Sequence, residues 1–165
     1  MGELVISKVD KIYRGRKTAV HAVKALDLTV KPGEIVALLG SSGCGKTTTL
    51  RMIAGFEDVT SGSITLDGKP IHQLPPAQRG VAMAFEAYSL YPPLTIGENI
   101  AFALKASRLS AAEQESKVRA MAGMLEIDGI LGKYPSSVSG GQQQRASLGR
   151  ALVRKAGLYL LDEPM

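Results

Sequence analysis

Gly40-Ser41-Ser42-Gly43-Cys44-Gly45-Lys46-Thr47 sets two glycines five positions apart, directly ahead of a lysine and a hydroxyl residue. Phosphate chemistry needs this arrangement. Glycines let a loop fold tightly enough for several backbone N–H groups to converge on phosphate oxygens. The lysine then reaches the β- and γ-phosphates, and the threonine hydroxyl binds Mg²⁺. A helix beginning near Lys46 adds the positive end of its dipole to the same anion. The match to Gly-x-x-x-x-Gly-Lys-[Ser/Thr], the Walker A pattern, is complete.

Further along, Leu158-Tyr159-Leu160-Leu161 is an apolar run ending in Asp162-Glu163, the Walker B pattern. The end of a strand is where a parallel α/β sheet places its ligands. Asp162 would hold Mg²⁺ through water, and Glu163 would orient and deprotonate an attacking water beside the γ-phosphate. An Asp-Glu pair after a strand is by itself often a solvated turn; the phosphate loop upstream gives this pair its chemistry.

Ser139-Gly140-Gly141-Gln142 is the third constellation. Ser139 and Gln142 have capping-box spacing, so Ser139 is expected as the N-cap of a helix running towards Arg154. A serine hydroxyl, two glycine N–H groups and a helix N-terminus together suit a terminal phosphate. The capping box explains Ser139 and Gln142. It explains neither the glycines nor the Gln143-Gln144-Arg145 that follows.

The elements that must position these residues show in the apolar pattern. Residues 4–9 alternate with one slip (Leu4, Ile6, then Val9), and 25–30 alternate better; both read as strands. Lys31-Pro32-Gly33-Glu34 is a turn. Ile35 to Leu39 is continuously apolar, as in a strand buried on both faces. A helix is expected from Lys46 to Ala54 with Gly55 as its stop. Ser63 to Lys69 enters an Asp67-Gly68 hairpin turn, and Gly80 to Phe85 is another buried strand. From Ile96 to Leu131 the pattern is helical. Ser110 and Glu113 form a capping box, and Val118, Met121, Ala122 and Leu125 share one face. Met121 and Met124 read as core, and Glu113, Glu115, Lys117 and Arg119 as a solvated face. The order is that of an α/β nucleotide-binding core carrying a helical subdomain.

Composition narrows the function classes. The 165 residues can bury one ordinary core. No apolar run spans a bilayer and the N-terminus has no signal-peptide pattern, so a cytosolic chain is expected. Cys44 is the single cysteine, which rules out an internal disulfide; it reads as a small residue fitting the loop, with reactivity as the alternative. The net charge is +5, but the basic residues are scattered without interleaved aromatics, so no nucleic-acid partner is expected.

Taken in order, the three constellations resemble those of the ATP-binding cassette (ABC) ATPases, the motor subunits of ABC transporters, over about Val5 to Pro164. The resemblance implies a P-loop NTPase core of ABC type with an N-terminal antiparallel β subdomain and an α-helical insert. It divides the chain into a nucleotide-binding core (1–95), a helical subdomain (96–138), and a signature helix with the Walker B strand (139–165). It implies ATP and Mg²⁺ as ligands. Gly40, Ser41, Ser42, Gly43, Cys44, Gly45, Lys46, Thr47 and Thr48 would cradle the phosphates, and Tyr13 would stack on adenine. Thr47, Asp162 and Glu86 would face the metal, while Lys46, Glu86 and Glu163 would serve catalysis. Ser139, Gly140, Gly141 and Gln142 would contact the ATP of a second ABC domain in a head-to-tail dimer. Integral membrane permease subunits would dock near Glu86–Tyr91 and the helical insert, with a solute-binding protein involved indirectly. The location implied is the cytoplasmic face of the plasma membrane.

The segment Phe85-Glu86-Ala87-Tyr88-Ser89-Leu90-Tyr91-Pro92 resembles the Q-loop region of importers for sugars and related solutes. An ATPase subunit of an importer of sugar or another small polar solute is therefore the leading expectation. A truncated or non-hydrolysing ABC fragment and a soluble ABC ATPase of DNA repair or translation are the alternatives. Two departures stand out. Val138 replaces the usual leucine before the signature, and Glu86 stands where the family has glutamine. A carboxylate still binds Mg²⁺ but loses the amide donor and adds negative charge; the other reading of Glu86 is a tolerated variant. The family's Ser-x-Leu-Asp segment after Walker B and its switch histidine are not in these 165 residues. A C-terminally truncated chain is thus expected, with an unpaired Walker B strand and little ATP binding or turnover of its own.

Overall fold

The computed structural model describes residues 2–15, 18–85 and 89–162. These form two compact units, Met1–Val81 and Ala82–Met165.

The first unit is built on an antiparallel sheet ordered β2-β1-β3-β4, with β1 Leu4–Arg14, β2 Ala19–Val30, β3 Ser61–Leu66 and β4 Lys69–Pro70. Leu4 pairs with Leu66 and Ile6 with Ile64, and all four side chains are buried. The slip in the alternation of residues 4–9 is a β-bulge. The register shifts between Ile6 and Val9, Lys8 takes φ 47°, and Val9 returns to the core fully buried. One extra residue restores the inward face that a strict period of two would have lost. Asp67 and Gly68, at φ 51° and 72°, form the expected hairpin turn between β3 and β4. The helix α1, Lys46–Ala54, has the expected bounds, and Gly55 closes it in the left-handed conformation.

The run Ile35–Leu39 departs from expectation. It forms no ladder among the described residues; Ile35 is 96% exposed and Leu39 91%. A continuous apolar strand is stable only with neighbours on both edges and layers on both faces. Composition calls for those neighbours but does not provide them.

The second unit contains β5 Val81–Ala84 from its second residue on, α2 Ile96–Phe102, α3 Ala111–Met124, α4 Gly140–Leu152 and β6 Leu158–Leu161. The helical stretch from Ile96 to Leu131 is thus two helices and a 3₁₀ turn. Its core gathers Ile96, Ile100, Val118, Ala122, Ile127 and Ala146, with Met121 and Leu125 packed against them. Met124 is not core but 78% exposed, since six residues beyond Val118 places it roughly 110° from the centre of the apolar stripe. Gly149 lies where α4 meets this core: an added Cβ would stand 3.1 Å from Leu125 Cδ1 and 3.4 Å from Ile100 Cδ1. The expectation of an unpaired Walker B strand is corrected: β6 pairs with β5, and the Asp162 N–H donates to the Ala84 carbonyl at 3.0 Å.

Full capping boxes start all three helices of this unit, at Thr95/Glu98, Ser110/Glu113 and Ser139/Gln142. Asn99, fully buried, closes the approach to α2: its Oδ1 accepts from Tyr91 N–H, and its Nδ2 donates to the carbonyls of Tyr91, Leu94 and Thr95. The Thr95 backbone N–H, then its hydroxyl, hold the Glu98 carboxyl below the usual carboxylate range. For Glu113 the Ser110 hydroxyl leads and its backbone N–H follows.

A depressed folded pKa gives stability that is present above the unfolded value, about 4.3, and lost as pH falls through the folded value. Thermal unfolding between pH 6 and pH 3 should therefore show an acid-side loss. The doubly substituted Glu98→Gln/Glu113→Gln protein, whose caps carry no titratable carboxyl, should show less of it. Identical acid profiles would contradict this assignment.

Candidate functional site

Phosphate-loop geometry follows from its glycines. Gly43 and Gly45 take φ 83° and 96°, the left-handed region where a side chain is strained. Space is also closed at Gly45, where a Cβ would stand 2.6 Å from the Ala22 carbonyl oxygen. The loop therefore lies against β2 and turns directly into α1, with Gly45 as N-cap and no side-chain cap bond. First-turn N–H groups of a helix without such a cap are available to an anion. No acidic residue occupies that first turn.

Lys46 folds back over its own loop, where its Nζ donates to the carbonyls of Gly40 at 2.7 Å and Ser41 at 3.0 Å. Cys44 Sγ lies 3.8 Å from the same nitrogen and is exposed. The ammonium thus spans the concave side of the loop. Thr49, one turn on, returns its hydroxyl to the Gly45 carbonyl at 2.9 Å and stiffens the start of α1. Ser41, Ser42 and Gly43 are exposed, and Thr47 and Thr48 half-buried.

An open cavity of about 630 Å³ adjoins the loop, lined by Val20, His21, Lys24, Leu39, Gly43 and Lys46 among others. That is the size range of small-molecule sites. Tyr13 pairs across the sheet with Val20, is 37% exposed, and has the Lys11 ammonium 4.8 Å from its ring centroid. One face of that ring thus carries a cation–π contact.

Val20, His21 and Lys24 carry no motif in the sequence, because this cavity wall takes consecutive strand residues, Val20 to Lys24, which have no distinguishing spacing. His21 Nε2 lies 2.6 Å from Asp10 Oδ1. The Asp10 carboxyl is held below the usual range, first by the Ala25 N–H, then by His21 and the Ser61 hydroxyl.

In the second unit, Ser139 and Gln142 exchange the two bonds of the capping box, Gln142 N–H to Ser139 Oγ at 3.3 Å and Ser139 N–H to Gln142 Oε1 at 3.0 Å. Ser139, Gly140 and Gly141 are exposed. An added Cβ at Gly141 would meet nothing within 4 Å, so no contact among the described residues calls for glycine there. A glycine inside a helix costs about 1 kcal/mol relative to alanine.

Asp162 is buried at 7% exposure beside a cavity of about 60 Å³ that Ala84, Gln144 and Ser147 also line. Ser147 Oγ is buried and finds no hydrogen-bond partner among the described residues. Residues 40–48 and Tyr13 therefore fall in the first unit, and Ser139–Gln142 and Asp162 in the second. Glu86 and Glu163 lie outside the described residues. Among the described residues no three His, Cys, Asp or Glu side chains cluster to hold a metal. No described helix is long and apolar enough to cross a membrane.

The fold resembles a dimeric ATP-binding cassette solved in a post-hydrolysis state with ADP and Pi, at TM-score 0.89 and 27% identity over 98% of this chain and 74% of that one. A dimeric bacterial ABC transporter cassette superposes at TM-score 0.90, with 28% identity and the same coverage. The spermidine/putrescine import ATP-binding protein PotA of Thermobifida fusca is 48% identical over 97% of this chain and 42% of its own length. The sn-glycerol-3-phosphate import ATP-binding protein UgpC 1 of Rhizobium johnstonii is 44% identical, over all of this chain and 44% of its own length. The lactose transport ATP-binding protein LacK of Rhizobium radiobacter is 42% identical, with 100% and 44% covered. The chain spans less than half the length of these curated relatives. The family profile described as ABC transporter matches residues 23–165, and with the phosphate loop, signature segment and cassette fold in one chain, the protein belongs to the ABC transporter family.

Proposed function

We propose that this chain is the nucleotide-handling part of an ATPase subunit that powers import of a small polar solute. The loop carries this reading: left-handed Gly43 and Gly45 feed a helix N-terminus without an acidic residue, and the Lys46 ammonium lies across the concavity. Phosphate oxygens would replace the Gly40 and Ser41 carbonyls as partners of Lys46, exchanging neutral acceptors for charged ones. Tyr13 would offer its free ring face to adenine. Thr47 and Asp162 would hold Mg²⁺, which supplies charge neutralisation on the β- and γ-phosphates. Glu163 would take the proton of the attacking water, and Glu86 would accept from the metal's water shell.

Gly141 supports a head-to-tail dimer. Among the described residues nothing lies within 4 Å of the missing side chain, which leaves room for a surface that approaches from outside. That surface would be the ATP on a second ABC domain. Permease subunits would dock near Glu86–Tyr91 and the helical segment 96–138, at the cytoplasmic face of the membrane, with a solute-binding protein acting at one remove. The relatives are named for a polyamine, a phosphate ester and a sugar. Such chemically different cargoes on similar ATPases point to selectivity outside this chain.

Three outcomes test the reading in a chain continued to the relatives' full length. Lys46→Ala should weaken binding of a fluorescent ATP analogue at least tenfold while leaving thermal unfolding almost unchanged, because among the described residues Lys46 bonds to its own loop. Equal affinity would sink the assignment of the loop. Gly141→Ala should hold or raise the unfolding temperature, since alanine is the better helix former. It should also reduce ATP-dependent dimerisation seen by light scattering, and a dimer unaffected by the methyl would argue against the signature contact. Glu86→Gln restores an amide donor and removes a charge. Together with a permease it should tighten the dependence of ATP turnover on solute, and unchanged coupling would count against a special role for Glu86.

A further inference from the structure

We propose that Arg79 is a positioning residue for the phosphate loop: its guanidinium clamps the far end of α1 and so fixes the direction in which Gly45, Lys46 and Thr47 face the phosphates. The inference rests on the reading of that loop as the nucleotide site.

Arg79 is 4% exposed, and among the described residues its hydrogen bonds all go to main-chain carbonyls. Nη1 donates to Met52 at 2.6 Å and Ile53 at 3.1 Å, both in the last turn of α1. Nη2 donates to His72 at 2.9 Å and Nε to Leu74 at 2.7 Å. Burying a guanidinium is costly unless its donors are satisfied. Burial pulls its pKa down and Asp58 pushes it back up. The compensation is local: the last carbonyls of a helix lack intrahelical partners and carry the negative end of its dipole. A forked cation with five N–H donors suits two such carbonyls on one side and a loop on the other, which a lysine cannot match.

The second half of the clamp is anchored. The His72 ring nitrogen Nδ1 lies 3.2 Å from both N and O of Ile64 on β3, a fully buried strand residue. The guanidinium therefore ties the end of α1 to a segment held on the sheet. Gly55 makes the approach possible. It is left-handed at φ 90°, and a Cβ there would stand 2.5 Å from Arg79 Nε.

Helix α1 is a nine-residue rod about 13 Å long, with Gly45 at one end and the clamp at the other. A tilt of about 5° about the clamped end moves the first turn by about 1 Å. Displacements of that size cost orders of magnitude where reacting groups must be held in register. The Arg79 guanidinium bonds to the end of α1 and to the 72–74 segment, so it would act on the loop through the helix.

The test uses Arg79→Lys in the chain continued to full length, with three readouts: thermal unfolding, kcat and KM for ATP, and the amide resonances of Gly43, Gly45 and Lys46 without nucleotide. We expect a lower unfolding temperature, a KM raised at least fivefold with kcat changed less, and shifted loop amides despite their distance from the substitution. Lower stability with an unchanged KM and unmoved loop amides would make Arg79 purely structural and overturn the proposal. Should the variant not fold, the wild-type protein decides. A non-hydrolysable ATP analogue should shift the Arg79 Nε–H resonance, and an unmoved resonance under saturation overturns the clamp. Absence of ATP binding by the wild-type protein would instead overturn the reading of the loop.

Discussion

Holding an anion with backbone N–H groups requires the chain to turn left-handed and enter a helix within a few residues. Gly43 and Gly45 make those turns, and α1 follows at once. Much of the first unit is arranged around that demand. The Ala22 carbonyl stands where any side chain at 45 would go, so β2 and the loop approach at a distance only glycine allows. Thr49 stiffens the first turn from within. The sheet beneath stays in register only because Lys8 absorbs a bulge.

Two glycines on α4 separate folding from function. Gly149 faces Leu125 and Ile100, and its missing side chain lets α4 sit close to the helices it crosses. Core packing explains it fully. Gly141, two turns earlier in the first turn of the helix, has open space around it among the described residues. The same residue type on the same helix therefore carries two meanings, and only the surroundings of the absent side chain tell them apart. The capping box at Ser139 follows the same division. Its two reciprocal bonds consume the serine oxygen and the glutamine carbonyl as local capping groups, while the Ser139–Gly141 surface stays exposed.

Legibility from sequence follows the range of the interaction. The capping boxes at Ser110 and Ser139, the Asp67-Gly68 turn and the bounds of α1 could all be read, because their partners lie within a few residues. The slip at Lys8 could be seen but not interpreted, since only the paired strand shows that it is a bulge. Ile35–Leu39 misled for the complementary reason: its composition states a need for neighbours that the described ladders do not meet. Met124 misled because apolar type was read without its angle on the helix. The roles of Glu86 and Glu163 stay with the motif alone, as both fall outside the described residues.

Arg79 shows what sequence patterns cannot carry. An arginine in a polar turn ahead of a strand looks like any solvated cation. Its partners are carbonyls of residues 52, 53, 72 and 74, which have no side-chain signature at all. A side-chain partner leaves a trace in residue type, as Glu98 does for Thr95; a backbone partner leaves none. Helix N-termini in this chain are therefore legible, because serine, threonine and glycine mark them. The C-terminal end of α1 is marked only by Gly55, and the group that holds it arrives from more than twenty residues away. The loop proposed to bind phosphate advertises itself in eight residues, while the contact proposed to aim it is written in atoms every residue shares.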